Sequence, residues 1–562
     1  MPADVDSIWA ALQQGAQGSS AGGRPGKGQH RILRSSKQQA QSQPVENQQS
    51  NLQLPALRLE AALQKLQSKE TSEKLAALQA LKASSNILKE EHSQTCLSEL
   101  GKALILRLSD PKEQIRILAC TLLVDVIQIN GCHQADLLPY AMPLLVQRLE
   151  TNPDHQAPLE ACEEVRQSLQ VLLRMWATST GQDCQEYVGH IIICITAGCN
   201  DGSQAVNLEA CSSIRALYAV HGRRLGPLGK PLIAAASILL THPKYKVRVA
   251  ALEAIKQAVL LGRHEMIYQL GAFQDPNLVP IAAFYVPTVS VNFLSKLAQD
   301  GSPQVRKAFV EAVGEWLVSL HERIEHQPRL LPYLLGGLCD DIASVRDISW
   351  CWLSKAGKLH IEDHAADLKD SLQYLPSEAT SSGWQQEGAA DRAYGRDGKS
   401  GILHERLKVA PPPARPELGL RLLVQSHAFH LLVPLSAELS SWREEHAVCA
   451  ARLLRVCLFM VEEEAEAHLS TLLPAMCKAL QSNPGKDNLH DACIILGCFC
   501  RLSNILTSMK PLLMGQAAPA TLQMLTLIMQ AAPGTGNVTE EQIADFDDLV
   551  GSSAWRNPFD NI

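Results

Sequence analysis

The run Asp300-Gly301-Ser302-Pro303-Gln304-Val305-Arg306 shows most clearly the short pattern that decides the fold. The pattern is an acid, four residues, and then a branched aliphatic residue followed by a basic one. It occurs four times, and two degenerate copies keep the same frame. The six aliphatic anchors are Ile115, Val165, Val206, Val247, Val305 and Val345. Their positions differ by 50, 41, 41, 58 and 40, and a period of about 40 is typical of repeats made of two helices.

Each anchor begins an apolar stripe with helical spacing. The residues four, seven and eight positions after Val305 are Phe309, Ala312 and Val313, which share one face of an α-helix. Partner helices are predicted upstream of these stripes, at 137–149, 184–198, 227–240 and 330–339. No segment alternates with period two for long enough to predict a sheet. The predicted fold is therefore all-α, a HEAT-repeat α-solenoid of antiparallel helix pairs with disordered tails and an internal linker.

The acid and the basic residue of the pattern have predicted structural roles. The acid precedes the second helix of each pair, where a carboxylate can accept hydrogen bonds from free N–H groups and complements the helix dipole. The arginine lies on the first turn of that helix, so stacking is expected to bring each acid near an arginine of a neighbouring repeat. The predicted positions of this ladder are Asp110, Arg116, Glu160, Arg166, Arg248, Asp300, Arg306, Asp340 and Arg346.

Changes in composition divide the chain into five predicted regions. A disordered tail rich in Gln, Ser and Gly covers 1–52, and the HEAT-repeat array covers 53–375. A flexible linker or long loop rich in Gly, Ser and Pro covers 376–416. Further HEAT-like repeats cover 417–535, and an acidic tail covers 536–562. The long step of 58 residues contains a Pro-rich stretch at 276–295, which is interpreted as an insertion in one repeat.

Composition excludes several classes of protein. The chain has 562 residues, of which 46% are hydrophobic and 5% aromatic, and few aromatics disfavour an all-β sandwich or barrel. A formal charge of −7 disfavours a nucleic-acid binder, which would show a basic excess. No secretory signal or membrane span is predicted. The cysteines are scattered through apolar helical runs, and seven are predicted to be small core residues: Cys120, Cys194, Cys199, Cys211, Cys457, Cys493 and Cys498. A reducing compartment, most simply the cytoplasm, is therefore expected.

Motifs that resemble catalytic or metal sites lack the required context. Gly18-Ser19-Ser20-Ala21-Gly22 matches a nucleophile elbow, but it lies in the predicted tail without a strand before it. His360 and His364 do not meet a zincin order and are interpreted as a solvated helix end, and His326 lies one residue too far from His321. No catalytic, cofactor-binding or metal-ligating residue is predicted. The chain is expected not to be an enzyme and to bind no cofactor or small-molecule substrate.

Several runs of this sequence, between about residue 97 and about residue 480, resemble runs of one known family and occur in the same order. The least generic are Pro158-Leu159-Glu160-Ala161-Cys162-Glu163-Glu164-Val165-Arg166 and the helix that contains Trp316. Together with the strings at 246–254 and 330–335, they resemble the dynein axonemal assembly factor 5 family of HEAT-repeat proteins. This sequence departs from that family at 276–295 and 376–416, and family members usually carry more repeats after the point where this chain stops.

The resemblance implies a function that the residues alone do not. It implies a non-enzymatic scaffold for the cytoplasmic preassembly of outer and inner axonemal dynein arms, which motile cilia and flagella need. The implied partners are dynein heavy chains, dynein intermediate chains and chaperone-linked assembly factors. The residues alone leave two alternatives open, a nuclear-transport carrier and a regulatory scaffold of a phosphatase-type complex.

Overall fold

The structure is a computed structural model, and the residues it describes lie in one compact unit, Leu54–Ile562. The described residues are 55–83, 94–130, 136–150, 158–179, 186–270, 292–368, 393–395, 401–409, 415–441, 443–482, 485–513 and 518–532. Their regular elements are helices. The predicted tails 1–52 and 536–562 lie outside the described residues.

The first part of the unit is a series of helix pairs. Its helices are α1 (Pro55–Leu66), α2 (Thr71–Ala83), α3 (Gln94–Arg107), α4 (Glu113–Asn130), α5 (Leu138–Leu149), α6 (Glu163–Ser179), α7 (Val188–Cys199), α8 (Gln204–His221), α9 (Gly229–Leu239), α10 (Tyr245–Leu261), α11 (Met266–Leu270), α12 (Phe293–Ala298), α13 (Pro303–Ser319), α14 (Arg323–Gly337) and α15 (Ala343–Asp363).

The second helices of successive pairs stack directly on one another. Contacts run in order through α2, α4, α6, α8, α10, α13 and α15, and the first helices α5, α7 and α9 contact one another in a parallel layer. Most second helices also pack against the first helix of their own pair, as α4 does on α3, α8 on α7, α10 on α9 and α15 on α14. This two-layer arrangement confirms the predicted α-solenoid.

The core lies between the two layers and between successive second helices. The six aliphatic anchors are at most 1% exposed, and the stripe residues Phe309, Ala312 and Val313 are buried with them. Trp176 and Trp316 are the largest fully buried side chains. Because Leu, Ala and Val supply most of the remaining core, the low aromatic content follows from the helix stacking.

One repeat departs from the two-helix plan. The short helices α11 and α12 stand where the other repeats have one first helix, and α12 packs on α13 and α14. Asn292 begins α12, and its side chain accepts a hydrogen bond from the Ser295 N–H at 2.9 Å. Most of the predicted insertion at 276–295 lies outside the described residues.

The second part of the unit continues the stack. Its helices are α16 (Ile402–Arg406), α17 (Leu418–Ser426), α18 (Ala428–Leu439), α19 (Glu444–Val461), α20 (Leu469–Ser482), α21 (Lys486–Phe499), α22 (Leu502–Leu513) and α23 (Ala518–Ala531). α17 packs on α15 and then on α19, and α19, α21 and α23 extend the layer of second helices.

The described parts of the predicted linker 376–416 are packed against this second part. Tyr394 and Leu403 are buried, and α16 contacts α21. The buried carboxylate of Asp491 accepts hydrogen bonds from the N–H groups of Lys408 at 2.8 Å and Val409 at 3.0 Å. The sequence pattern did not indicate these contacts, because Gly- and Pro-rich composition reports only the absence of a regular helix.

A second buried carboxylate holds the end of the same stretch. Glu462 is buried and accepts hydrogen bonds from Arg415 at 2.5 and 2.9 Å and from Arg421 at 2.9 Å. Its backbone has φ 51° and ψ −122°, nearly the same as Gly222 (φ 50°, ψ −129°), which ends α8. This region costs a side-chain-bearing residue about 1–3 kcal/mol. Glutamate stands there because its carboxylate pairs with two arginines.

Among the described residues, no single helix is long and apolar enough to cross a bilayer; α17 and α18 reach that length and composition only as a pair bent by 67°.

The seven cysteines predicted as core residues are all buried. They are Cys120, Cys194, Cys199, Cys211, Cys457, Cys493 and Cys498. Burial raises the pKa of the Cys120 and Cys194 thiols to about 12. These thiols therefore stay protonated and act as small apolar side chains.

Candidate functional site

The acids of the repeat pattern lie at the turns that lead into the second helices. Each carboxylate accepts a hydrogen bond from the N–H two residues further on, for example Asp300 from Ser302 at 2.8 Å and Asp340 from Ile342 at 2.9 Å. Glu160 binds the Cys162 N–H at 3.2 Å in the same way. The carboxylates thus supply partners for N–H groups that the first turn of a helix leaves free.

The arginines of the pattern fix the same turns from the other side. The Nη1 group of Arg306 donates to the carbonyl of Asp300 at 2.8 Å, and that of Arg346 donates to the carbonyl of Asp340 at 2.7 Å. Arg166 binds the Glu160 carbonyl equivalently at 3.0 Å. One nitrogen of each guanidinium group therefore stabilises the turn of its own repeat, and the other nitrogens remain available for the next repeat.

The remaining guanidinium nitrogens bind the acid of the following repeat. Arg306 Nε lies 2.6 Å from Asp340 Oδ2, and its Nη2 lies 2.9 Å from Asp340 Oδ1. Arg166–Asp201 and Arg248–Asp300 are bidentate in the same way, with closest nitrogen–oxygen distances of 2.6 and 2.8 Å, whereas Arg116 binds Glu160 through its Nη2 alone at 2.7 Å. We call this series the Arg–acid ladder.

Two ladder positions have partners that the sequence pattern did not supply. Asp110, the first acid, receives Lys74 from α2 at 3.1 Å. Glu160 receives Arg148 from α5 at 2.7 Å in addition to Arg116. Arg346 donates to the carbonyls of Asp340 and Asp341, and no acid partner is seen for it among the described residues.

The ladder is interrupted at one joint, and both of its members change there. Asn207 occupies the arginine position and His242 the acid position of the next repeat. Asn207 is buried and donates to the carbonyls of Gly198 at 3.0 Å and Asp201 at 2.9 Å. His242 Nδ1 accepts from the Lys244 N–H at 3.0 Å, so it keeps the turn without a charge partner. The joint between α8 and α10 thus lacks the arginine–carboxylate pair of the ladder.

This matched loss predicts a coupling between the two positions. Asn207→Arg alone is expected to destabilise the chain, because it buries a cation opposite an imidazole. Adding His242→Asp is expected to recover about 0.5–3 kcal/mol as favourable coupling energy. Urea denaturation of both single variants and the double variant measures this energy. Purely additive effects would show that the two side chains do not meet across the joint.

The ladder also predicts a pH dependence. Burial on its own raises the pKa of Asp340, but the hydrogen bonds from Arg306 and the Ile342 N–H outweigh it and hold the pKa below 3.8. A carboxyl whose pKa is lower in the folded state stabilises the fold above the unfolded pKa. We therefore expect this stabilisation to be lost as the pH falls below 3.8 toward the folded value. Urea denaturation between pH 7 and pH 3 is expected to show a shallower decline for Asp340→Asn, and identical slopes would contradict this role.

Charge pairs also cross between successive second helices. Arg174 of α6 pairs with Glu209 of α8 at 3.3 Å, and Lys256 of α10 lies between Glu253 at 3.0 Å and Glu315 of α13 at 3.2 Å. These pairs add polar contacts between α6 and α8 and between α10 and α13.

The histidines that sequence reasoning set aside have different environments. His360 is buried, which corrects the interpretation of a solvated helix end, and His364 Nδ1 lies 3.0 Å from the His360 carbonyl instead of facing a metal. His326 faces His264 across two repeats, and Glu325 lies beside them. His264, Glu325 and His326 are side chains of the types that bind metal ions. No local sequence motif could reveal the group, because 62 residues separate the two histidines.

Two family models cover most of the chain. The model described as "Dynein axonemal assembly factor 5-like, TPR repeats" matches residues 65–272 and 286–371. The chain belongs to the dynein axonemal assembly factor 5 family. The family's HEAT-repeat domain matches residues 408–542. The first model calls its repeats TPR, but the observed step of about 40 residues is longer than the TPR period of about 34 and fits HEAT repeats.

Curated relatives carry the family name. Dynein axonemal assembly factor 5 of Homo sapiens is 28% identical over 66% of this chain, and that of Mus musculus is 26% identical over 73%. The chain spans 38% and 44% of the length of these two relatives. Among solved structures, the karyopherin Kap121p bound to Ste12p is 13% identical and covers 90% of this chain and 47% of its own, with a TM-score of 0.39.

Proposed function

We propose that this protein is a non-enzymatic scaffold for the cytoplasmic preassembly of axonemal dynein arms, outer and inner, in cells that build motile cilia or flagella. The observation that supports the proposal is the stack of second helices in a member of this family, because solenoids of stacked helix pairs offer extended surfaces on which proteins can bind. The proposed clients are dynein heavy and intermediate chains, held together with chaperone-linked assembly factors.

The chemistry of the described residues supports a binding role. In the ladder Arg248 is paired with Asp300 and Arg306 with Asp340, and burial raises the pKa of thiols such as that of Cys120. Such groups hold a fold and offer neither an activated nucleophile nor a general base. An extended surface that binds partly folded chains needs neither.

The test is affinity capture with the full chain from the cytoplasm of cells that build motile cilia, with cytoplasm of cells lacking them as the control. Dynein heavy and intermediate chains, together with chaperone-linked factors, are expected only in the first. Recovery of a small GTPase or of a phosphatase catalytic subunit in place of dynein chains would overturn the proposal in favour of a transport carrier or a phosphatase scaffold.

A second experiment tests whether the protein acts before the dynein arms reach the axoneme. Depletion of the protein is expected to leave axonemes without dynein arms and to lower the cytoplasmic pool of complexes that contain heavy and intermediate chains together. Axonemes with complete arms after depletion would contradict the proposal, whatever the capture experiment recovers.

A further inference from the structure

Four side chains capable of ligating a metal meet where two neighbouring repeats join. His264 lies in the turn between α10 and α11, and Tyr268 lies in α11. Glu325 and His326 lie on the first turn of α14. The two segments are therefore brought together by the stacking of repeats and by no local sequence motif.

The distances suit an ion shared by the two imidazoles. His264 Nδ1 and His326 Nε2 lie 3.0 Å apart, and the ligand atoms of His264, His326 and Glu325 all lie within 4.8 Å of one another. Two donor atoms that are each about 2.1 Å from a tetrahedral ion are about 3.4 Å apart. The facing nitrogens thus need to separate by only a few tenths of an ångström, and the exposed Glu325 side chain can turn inward to complete the set.

The carboxylate has an orienting partner of its own. The Tyr268 hydroxyl donates a hydrogen bond to Glu325 Oε1, and the Arg329 guanidinium stacks on the Tyr268 ring at 4.2 Å. Hydrogen bonds of this kind to a ligating carboxylate fix its direction and are a regular part of metal sites. Tyr268 therefore has the position of an outer-sphere residue.

The buried member of the group is His326. His326 is fully buried, and its Nδ1 has no hydrogen-bond partner in the described part of the chain, so the imidazole depends on what its Nε2 binds.

We propose that His264, His326 and Glu325 bind one Zn²⁺ ion, which clasps the turn after α10 to the start of α14. Imidazole nitrogen with one carboxylate is a ligand set that suits Zn²⁺, whereas Ca²⁺ and Mg²⁺ require mostly oxygen ligands. Water supplies the fourth ligand. The clasp lies at the repeat that has the short helices α11 and α12 in place of one first helix.

The test is isothermal titration of the full chain with ZnCl₂. Cys351 and Cys449 are exposed thiols, so the parent protein carries Cys351→Ser and Cys449→Ser to remove adventitious binding. One ion per chain is expected, with no competition from excess Mg²⁺ or Ca²⁺. His264→Ala and Glu325→Gln are each expected to weaken binding at least about tenfold, and Tyr268→Phe by about tenfold.

His364→Ala is the matched control, because His364 also lies against a second histidine but has its Nδ1 at a carbonyl. It is expected to bind Zn²⁺ as the parent does. Zn²⁺ should raise the melting temperature of the parent and of His364→Ala, and should not raise that of His264→Ala. Neither His264 nor Glu325 is buried, so both variants are expected to fold, which circular dichroism checks.

Two results would overturn the proposal. One is the absence of Zn²⁺ binding by the parent protein. The other is binding by His264→Ala and Glu325→Gln with the affinity of the parent, which would place the ion elsewhere. The Co²⁺-loaded protein gives an independent readout, because its visible spectrum distinguishes a nitrogen and oxygen ligand set from thiolates.

Discussion

Glu462→Ala should lower the free energy of unfolding by about 3–5 kcal/mol, the cost of removing one partner from a buried ion pair. The carboxylate of Glu462 is the shared acceptor of Arg415 and Arg421, and the Arg421 side chain is itself only 8% exposed. Without Glu462, two guanidinium groups keep their positive charge in a place where water reaches them poorly. Urea or thermal denaturation of the full chain measures the loss.

Two further variants separate the effect of the buried ion pair from that of losing any carboxylate and from that of the positive φ. Asp487→Ala removes a carboxylate from an exposed pair with Lys408, so its cost is expected to stay below about 1 kcal/mol. Glu462→Gly removes the same carboxylate as Glu462→Ala but relieves the positive φ, so it should be the more stable of the two by about 1 kcal/mol or more. Equal losses for Glu462→Ala and Asp487→Ala would show that the buried pair does not hold this part of the chain.

Arg306→Glu should destabilise the stack by about 1–3 kcal/mol. The substitution removes two hydrogen bonds to Asp340 and one to the Asp300 carbonyl, and it places a carboxylate against Asp340. Because the pair joins α13 to the turn before α15, the effect is expected on the packing of neighbouring repeats as well as on one helix. Denaturation in urea gives the change in free energy.

Arg346→Glu is the matched control for this variant. Arg346 has the same place in the next repeat, but the contacts seen for it are with the carbonyls of Asp340 and Asp341. Its substitution should therefore cost clearly less. An Arg306→Glu protein with an unchanged melting temperature would mean that solvent, and not Asp340, satisfies the Arg306 guanidinium.

The solenoid was predictable because each repeat carries its own local signal. An anchor such as Val305 and the stripe after it lie within one helix, so periodicity alone identifies the buried face. The Arg–acid ladder follows from the same repeat pattern. The acid and the arginine keep a fixed spacing within a repeat, as Asp300 and Arg306 do, so stacking brings the arginine of one repeat to the acid of the next. Where the frame loses both charges, at Asn207 and His242, the structure shows how the turn is kept without them.

Most contacts that sequence reasoning missed join residues that are far apart along the chain. Glu462 shows no sign of a positive φ, because glycine is the residue that normally marks such a position. Arg415 lies 47 residues from its acceptor. His264 and His326 are 62 residues apart and are separated by the irregular repeat, so no fixed spacing relates them. Family membership was predictable from the order of the runs.

The contacts of Lys408, Val409 and Arg415 with buried carboxylates determine where the chain can be divided. A fragment that starts at 417, the beginning of the predicted second repeat region, would lack Arg415 and the N–H groups of Lys408 and Val409. Glu462 would then keep only Arg421, and Asp491 would lose two of its donors. A fragment that starts at 401 retains every one of these partners. Fragments shortened from the N-terminal side should therefore lose soluble expression abruptly between a start at 401 and a start at 417. The composition of this stretch alone suggests that it is dispensable.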